Sequence, residues 1–358
     1  MTTPLNILIL GGVGAQNSHV AKELAVAGHK VRILTRDTQK RGARELAAWP
    51  GIEIVQGDTY DEETLEAALK GIQSVYVNTN GFAIGERSEI YWSIRIYEIA
   101  YWAGVKHFVY STLPYVSRRS GFNPKFRVPF VDGKAKFAEY LKSQPTNPMN
   151  WSLIESGPYA EDNLYRRPPT YDERTGEWVW RIYLGEGGCY PLVDLPDFAW
   201  FARYIHEHPE EFRGDLLSVG IKHTSGKELA EALTATTGKP SRYVPLTKEE
   251  FLQDAPPIKI GAAHSPGYDD PTLWTAQQMF LHWSTVWIDS VGNTGLWTRD
   301  YERLDKLKPD RIKTVAEWMK SVGYDPEKPK HLVNTGMTVA GVGEVFLWGE
   351  DGSEQDKD

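Results

Sequence analysis

Gly11, Gly12 and Gly14 follow directly on the apolar run Ile7 to Leu10, and Val20, Leu24 and Ala27 come after them at helical spacing. Strand, glycine turn and helix in that order can bind a diphosphate. Glycine lets the backbone turn sharply with no side chain in the way. The first free N–H groups of the helix, and its positive end, then face the anion. Read as G-x-G-x-x-G, the pattern gives Gly12, Gly14 and Asn17; the looser G-x-x-G-x-x-G gives Gly11, Gly14 and again Asn17. The third glycine, normally there for close helix–strand packing, is replaced. Asparagine is small and tolerates left-handed geometry. The plain alternative is a structural turn without a ligand.

A second group of residues qualifies the first. Lys30 to Thr35 reads as the next strand and ends at Thr35-Arg36-Asp37, with Lys40, Arg41 and Arg44 behind it. At this tip an acid would take a ribose 2′-hydroxyl, whereas an arginine accepts a 2′-phosphate. Arg36 therefore points to NADP(H) rather than NAD(H), the competing reading being a solvated basic helix start. Asp58 either bonds the adenine or caps the helix from Asp61 to Leu69, capping being the simpler role. Lys134 falls in the first turn of a helix within Val128 to Lys142, where the helix dipole prefers anions. Either a partner holds this lysine or it is simply solvated.

The elements that must position these groups alternate along the chain. After the first two strands come Ile52 to Gln56, Ser74 to Asn78, Lys106 to Ser111 and Trp151 to Glu155. Helices separate them, among them an amphipathic one from Glu89 to Ala103. Alternation of this length predicts an α/β fold: a Rossmann-type, doubly wound parallel sheet with right-handed crossovers. The loops Thr79-Asn80-Gly81 and Ser111-Thr112 then lie at strand C-terminal ends, facing the crevice where such sheets bind ligands.

Composition bounds the function classes. The chain has 358 residues, 41% hydrophobic and 25% charged, enough for one large or two modest domains. A net charge of −8 leaves no basic footprint for nucleic acid. The single cysteine, Cys189, excludes an intramolecular disulfide and a cysteine-rich metal site. The first residues lack a basic leader and no apolar run approaches a membrane span, so a cytoplasmic enzyme with no membrane contact is expected.

The later half is aromatic. Most of the 13 Trp lie after residue 150. Trp178 and Trp180 alternate like a strand. Further helices are predicted over Asp194 to His206, Ser225 to Thr237, with Ser225 and Glu228 as a capping box, and Val315 to Val322. Leu216 to Val219 and Tyr243 to Leu246 read as strands. Residues 254–272 form a breaker-rich loop. Leu273 to Val291 is a helix bearing Trp274, Phe280, Trp283 and Trp287. Such a stripe is either core or the wall of a pocket for a large, flat, apolar substrate, with His264 and His282 as polar anchors. After Pro329 the sequence shows no clear helical period, and the terminal DGSEQDKD is expected to fray.

The segments GGVGAQN, LTRD, VQGD, AGVKHFVYSTL, VDGKAKFAEYLK and ESGPYAEDN, in this order, resemble the NmrA-like family of the atypical short-chain dehydrogenase/reductase superfamily. The resemblance is good over residues 5–165 and weak beyond. It implies a Rossmann fold that binds NADP(H). The family's glycine loop matches Gly11, Gly14, Gln16 and Asn17, and its 2′-phosphate arginine matches Arg36. The loop after the fourth strand matches Asn78 to Asn80. The helix-borne lysine matches Lys134, near the nicotinamide ribose, and the post-strand loop matches Gly157-Pro158-Tyr159, beside the nicotinamide. Asp58, Thr79 and Ser111 complete the candidate cofactor residues. Four residues before Lys134 stands Phe130, where ordinary short-chain dehydrogenases carry a tyrosine acid. Phenylalanine carries no proton, so Tyr115 and Tyr159 join Lys134 as catalytic candidates.

The family divides into NADP(H)-sensing regulators and enzymes that reduce C=C or C=N bonds. Some fungal members act in natural-product pathways, including alkaloid assembly. The resulting expectation is an NADP(H)-dependent oxidoreductase of secondary metabolism acting on a bulky apolar, alkaloid-like substrate, with redox-coupled cyclisation as a variant. The alternative is a regulator that binds a protein partner. The expected division is a cofactor domain over 1–155, a smaller α/β substrate region over 156–330 partly interleaved with the Rossmann sheet, and a tail over 331–358.

Overall fold

The computed structural model describes residues 3–254, 273–289, 292–328, 337–339 and 343–345. The chain forms two compact units. The first comprises Met1–Tyr115, Phe130–Ser156 and Leu195–Val219. It is built on a seven-stranded sheet of β1 (Asn6–Leu10), β2 (Lys30–Thr35), β3 (Ile52–Gln56), β4 (Ser74–Val77), β5 (His107–Thr112), β6 (Asn150–Glu155) and β10 (Leu216–Ser218). The order is β3-β2-β1-β4-β5-β6-β10, and every pair is parallel. The predicted Rossmann-type α/β sheet is therefore present, with strand order reversing between β1 and β4.

Strands β4, β5 and β6 are buried at every residue. That is why they read as apolar runs and not as alternation. Leu8, Leu10, Val75, Val77, Phe108, Tyr110, Trp151 and Leu153 point to one face. There they share a core with Ile96, Tyr97 and Ala100 of α4 (Gly81–Trp102) and Phe137 and Leu141 of α6 (Pro129–Lys142). Helix α1 (Ala15–Val26) packs along α8 (Leu195–Glu207). The short α2 (Arg41–Ala47) and α3 (Glu62–Ala68) follow β2 and β3.

Three local readings change. Helix α4 starts at Gly81 and not at Glu89, because Asn80 caps it by accepting from the Ala83 N–H. Gly85, at φ 75°, breaks its first turn from the rest and hides it from helical periodicity. Helix α6 starts at Pro129, a residue suited to a first helical position, so Lys134 lies in the second turn. The cap of α3 is Asp61, whose carboxylate accepts from Thr64 N at 2.9 Å. Asp58 instead accepts from Tyr60 N in the preceding turn.

At the N-terminal ends of the central strands lie two buried imidazoles. His107 Nε2 meets Ser152 Oγ at 2.8 Å and His206 Nδ1 meets Ser74 Oγ at 2.7 Å. Both serines donate onward to carbonyls, so both rings act as donors there. The remaining nitrogens, His107 Nδ1 and His206 Nε2, are buried with no hydrogen-bond partner among the described residues. A proton added to either would be desolvated. Burial, then the Arg213 charge, takes His107 down to about 3; burial and the neighbouring histidines hold His206 well below its ordinary value. Unfolding raises both again, so stability is full above about pH 6.5 and is lost as pH falls toward the folded values. For His107 the loss is on the order of 3 kcal/mol by pH 4; His206 acts in the same direction. Melting temperature followed from pH 7 to pH 4 should fall steeply, and His206→Met should flatten the fall. An unchanged slope in that variant would exclude His206 as a source.

The second unit comprises Val116–Pro129, Gly157–Asp194 and Gly220–Asp358. Strands β7 (Thr170–Asp172), β8 (Glu177–Ile182) and β12 (Ser241–Pro245) form one sheet in the order β12-β8-β7. β9 (Cys189–Pro191) pairs antiparallel with β11 (His223–Ser225). β13 (Met337–Val339) pairs antiparallel with β14 (Gly343–Val345), in a stretch where the sequence shows no clear helical period. The helices are α5 (Val116–Arg119), α7 (Ala160–Arg166), α9 (Gly226–Thr237), α10 (Lys248–Asp254), α11 (Ala276–Asp289), α12 (Tyr301–Leu307) and α13 (Val315–Val322). The Ser225–Glu228 capping box is present, and Thr314–Glu317 forms a second. Trp287 and Trp297 are fully buried and meet at 4.8 Å, with Tyr190 and Trp283 against Trp287. Trp180 is equally buried, stacked on Tyr324. These three tryptophans are core and not pocket wall, since their indoles have no exposed face. Trp274, Phe280 and Trp283 remain half-buried. The 255–272 loop and His264 lie outside the described residues.

Candidate functional site

The glycine turn joins β1 to α1. Gly11 has φ 106°, and a Cβ there would stand 1.9 Å from the Asn78 carbonyl oxygen. Only glycine fits where the ends of β1 and β4 come together. Gly12 has φ 73°, and a Cβ at Gly12 or Gly14 would meet no described atom within 4 Å. Those two positions border open space. Gly14 is the N-cap of α1, no side chain caps the helix, and its first turn carries no acid. A helix start of this kind is favourable to an anion.

Asn17 explains the missing third glycine. It is buried, its Nδ2 donates to the carbonyls of Leu10 and Gly12, and its Oδ1 accepts from Asn78 Nδ2. The side chain ties the turn to both strand ends. Gln16 is buried too, its Oε1 accepting from the Tyr76 and Ser111 hydroxyls at 2.7 and 2.8 Å. That oxygen and the Ser111 hydroxyl thus bind each other across the sheet. Arg36 is exposed at the end of β2. Asp37, beside it, accepts the Gln39 N–H at 2.8 Å.

Lys134 is placed by the sheet. Its ammonium donates to the Thr79 carbonyl at 2.6 Å and to Asn78 Oδ1 and Thr79 Oγ1 at 3.2 Å each; Glu89 Oε1 lies at 3.1 Å. Three N–H bonds face four acceptors, so the lysine is held and not solvated. Asn80 donates its N–H to the Tyr60 hydroxyl and caps α4. Gly11, Gly12, Asn17, Asn78, Thr79 and Lys134 are thereby brought into one connected group, with Gly14 at the open start of α1 beside it.

Sequence reasoning missed Glu89. It is completely buried, and it accepts from Thr79 Oγ1 at 2.7 Å. The Tyr110 hydroxyl lies 3.2 Å from Thr79 Oγ1 and 3.1 Å from Ser93 Oγ. Burial pushes the Glu89 carboxyl up from its ordinary value, against the pull of Lys134 and Thr79; burial and the Glu89 charge push the Tyr110 phenol up. The available signal was Glu89 and Ser93 standing on the same helical face as Ile96 and Ala100. A charged residue on a core face implies a partner.

Phe130 is buried and stacks on Phe82 at 4.3 Å. No hydroxyl stands one turn before Lys134. Tyr115 is half-buried in the first unit. Pro158 and Tyr159 belong to the second unit. There the Pro158 carbonyl accepts from Val193 N and the Tyr159 carbonyl from Asn163 N and Nδ2. Among the described residues no group of three His, Cys, Asp or Glu could hold a metal, and no helix is long and apolar enough to cross a membrane.

Known proteins resemble this chain in sequence and in fold. The NAD(P)H azoreductase of Xenophilus azovorans is 31% identical over 247 residues, spanning 69% of this chain and 79% of that one. The NmrA-like family domain-containing oxidoreductase FrzB of Cladobotryum sp is 26% identical over 258 residues, spanning 67% and 76%. A crystal structure of NmrA, a negative transcriptional regulator, in complex with NADP superposes with a TM-score of 0.66 at 16% identity. It covers 91% of this chain and 99% of that one, a likeness of fold. The model of the NmrA-like family matches residues 4–268, and the chain belongs to that family.

Proposed function

We propose that the protein is an NADP(H)-dependent oxidoreductase that reduces a C=N or C=C bond in a bulky apolar, alkaloid-like substrate. The observation that carries this reading is the open glycine turn at Gly12 and Gly14, with exposed Arg36 at the tip of β2 and Lys134 fixed on the loop after β4. These residues fit the cofactor: uncapped helix N–H groups for the diphosphate, a guanidinium for the 2′-phosphate, and an ammonium on the ribose side. When bound, NADPH supplies the hydride. Gly11 and Asn17 keep the turn in shape, and Asn78 to Asn80 with Lys134 shape the neighbouring strand end.

Phe130 favours the bond class. With no tyrosine acid at that position, a ketone lacks its usual proton donor. An iminium or activated alkene is already electrophilic and needs less protonation. Tyr115 and Tyr159 are the remaining hydroxyls proposed for proton transfer. The relative named as an azoreductase adds support for reduction of a double bond to nitrogen. The aromatic substrate class rests on Trp274, Phe280 and Trp283, half-buried side chains able to stack.

A second reading is an NADP(H)-sensing regulator with a protein partner. Tyr91, Tyr101 and Trp102 favour it, standing 53%, 39% and 66% exposed on α4. The test is titration with NADPH and NADH by tryptophan quenching, followed by turnover with iminium and enone substrates. Micromolar NADPH binding, weakened about tenfold or more in Lys134→Ala, is expected together with NADPH consumption. Binding without turnover on any such substrate favours the regulator; no binding of either dinucleotide removes both readings.

A further inference from the structure

Glu89 is a buried carboxylate in an unusual setting. Oε1 takes the Thr79 hydroxyl and faces Lys134, but Oε2 has no hydrogen-bond partner among the described residues. It lies instead against two glycines. A Cβ built on Gly81 would stand 2.3 Å from Oε2, and one built on Gly133 would stand 2.7 Å from it. Gly81 opens α4, and Gly133 adjoins Lys134 on α6. Alanine, a better helix former, would collide with the carboxylate at both places. The sequence thus gives up helix propensity twice to keep room for one buried acid.

Burying a carboxylate is costly unless an opposite charge stands beside it. The other titratable groups that act on Glu89 are Glu86 three residues earlier on α4, Tyr60 from the turn after β3, and Tyr110 of β5. Glu86 has its own ion pair with Lys136. Lys134 is therefore the cation that balances Glu89, and Glu89 is the anion that balances Lys134.

We propose that Glu89 is the positioning residue of Lys134: it holds the ammonium charged and seated on the Asn78–Thr79 loop, and Gly81 and Gly133 exist in this chain to house it. This rests on the reading of Lys134 as a cofactor-side residue. Glu89 touches neither substrate nor cofactor in this role. It acts through Lys134 and, by way of Thr79, on the loop that carries Asn78 and Asn80.

The test uses Glu89→Gln, which keeps the shape and removes the charge. Carbon-13 NMR of labelled lysine, without cofactor, follows the Lys134 ε-carbon, assigned by its absence in Lys134→Arg. Loss of a neighbouring anion destabilises an ammonium, so Lys134 is expected to titrate at least one pH unit lower in E89Q than in the parent. NADPH affinity in E89Q should fall off at correspondingly lower pH, with the NADPH-to-NADH ratio unchanged. Gly133→Ala, which displaces the carboxylate without altering its charge, should shift Lys134 the same way and stands in if E89Q does not fold. Lys134 titrating alike in the parent and in the folded variants would overturn the proposal. A parent protein that binds no NADPH while Lys134 still shifts would refute the cofactor reading and leave the Glu89–Lys134 pairing standing, so the two fail separately.

Discussion

Gly11→Ala is expected to unfold the first unit, whereas Gly14→Ala leaves it folded and weakens NADPH. The two glycines are three residues apart, and their surroundings decide the difference. An alanine at Gly11 would place its Cβ 1.9 Å from the Asn78 oxygen and 2.9 Å from the Asn78 carbonyl carbon. Both are backbone atoms. Asn78 is also held to β1 by its own N–H, which donates to the Leu10 carbonyl at 3.1 Å. No side-chain rotation relieves the clash, and φ 106° is hostile to any L residue. The loss should reach about 4 kcal/mol or more, the exceptional end for one substitution. Gly14 has φ −61° and no described atom within 4 Å of an added Cβ. Its alanine variant should melt within a few degrees of the parent. The methyl group would occupy the space through which a diphosphate reaches the backbone, for a loss of ~2 kcal/mol, roughly thirtyfold in Kd. Thermal unfolding and NADPH titration of both variants check the pair. A well-folded Gly11→Ala protein would show the junction of β1 and β4 to be looser than its geometry implies.

The second large effect is on cofactor choice. Arg36→Ala should weaken NADPH by about 10- to 150-fold and leave NADH within a few-fold. A charge-assisted bond to phosphate contributes about 1.5–3 kcal/mol, and NADH lacks the phosphate. Arg36 is exposed, so its removal disturbs no core. Asp37 is engaged with the Gln39 N–H. Parallel titrations with the two dinucleotides decide it, and equal weakening of both would sink the 2′-phosphate assignment.

Strands β1, β4 and β5 were legible in the sequence as apolar runs, the mark of strands covered on both faces, while β2 and β3 interrupt theirs with Arg32 and Glu53, which are not buried. Both the sheet and the glycine turn followed. What escaped were interactions set by tertiary geometry. The first turn of α4 was invisible because Gly85 interrupts the helical period. Asp58 and Asp61 are three residues apart and both suit a cap; only the backbone path selects Asp61. Lys134 was recognisable as out of place, but its partner Glu89 lies 45 residues earlier in sequence, and nothing local joins them. In the second unit the aromatic stripe was ambiguous by nature. Trp287 and Trp297 turned inward as core, while Trp274 and Trp283 did not bury fully, and helical spacing cannot separate the two fates.

Asn17 carries a lesson about motifs. A search that insists on three glycines would pass over this chain, or mark its turn as degenerate. Yet the asparagine holds the carbonyls of Leu10 and Gly12 and meets Asn78 across the strand ends. Restoring glycine would improve the match to the pattern and remove three hydrogen bonds from the loop it defines. The position selects for compactness with something to hold, and conformity to a consensus is here the wrong measure of fitness for the task.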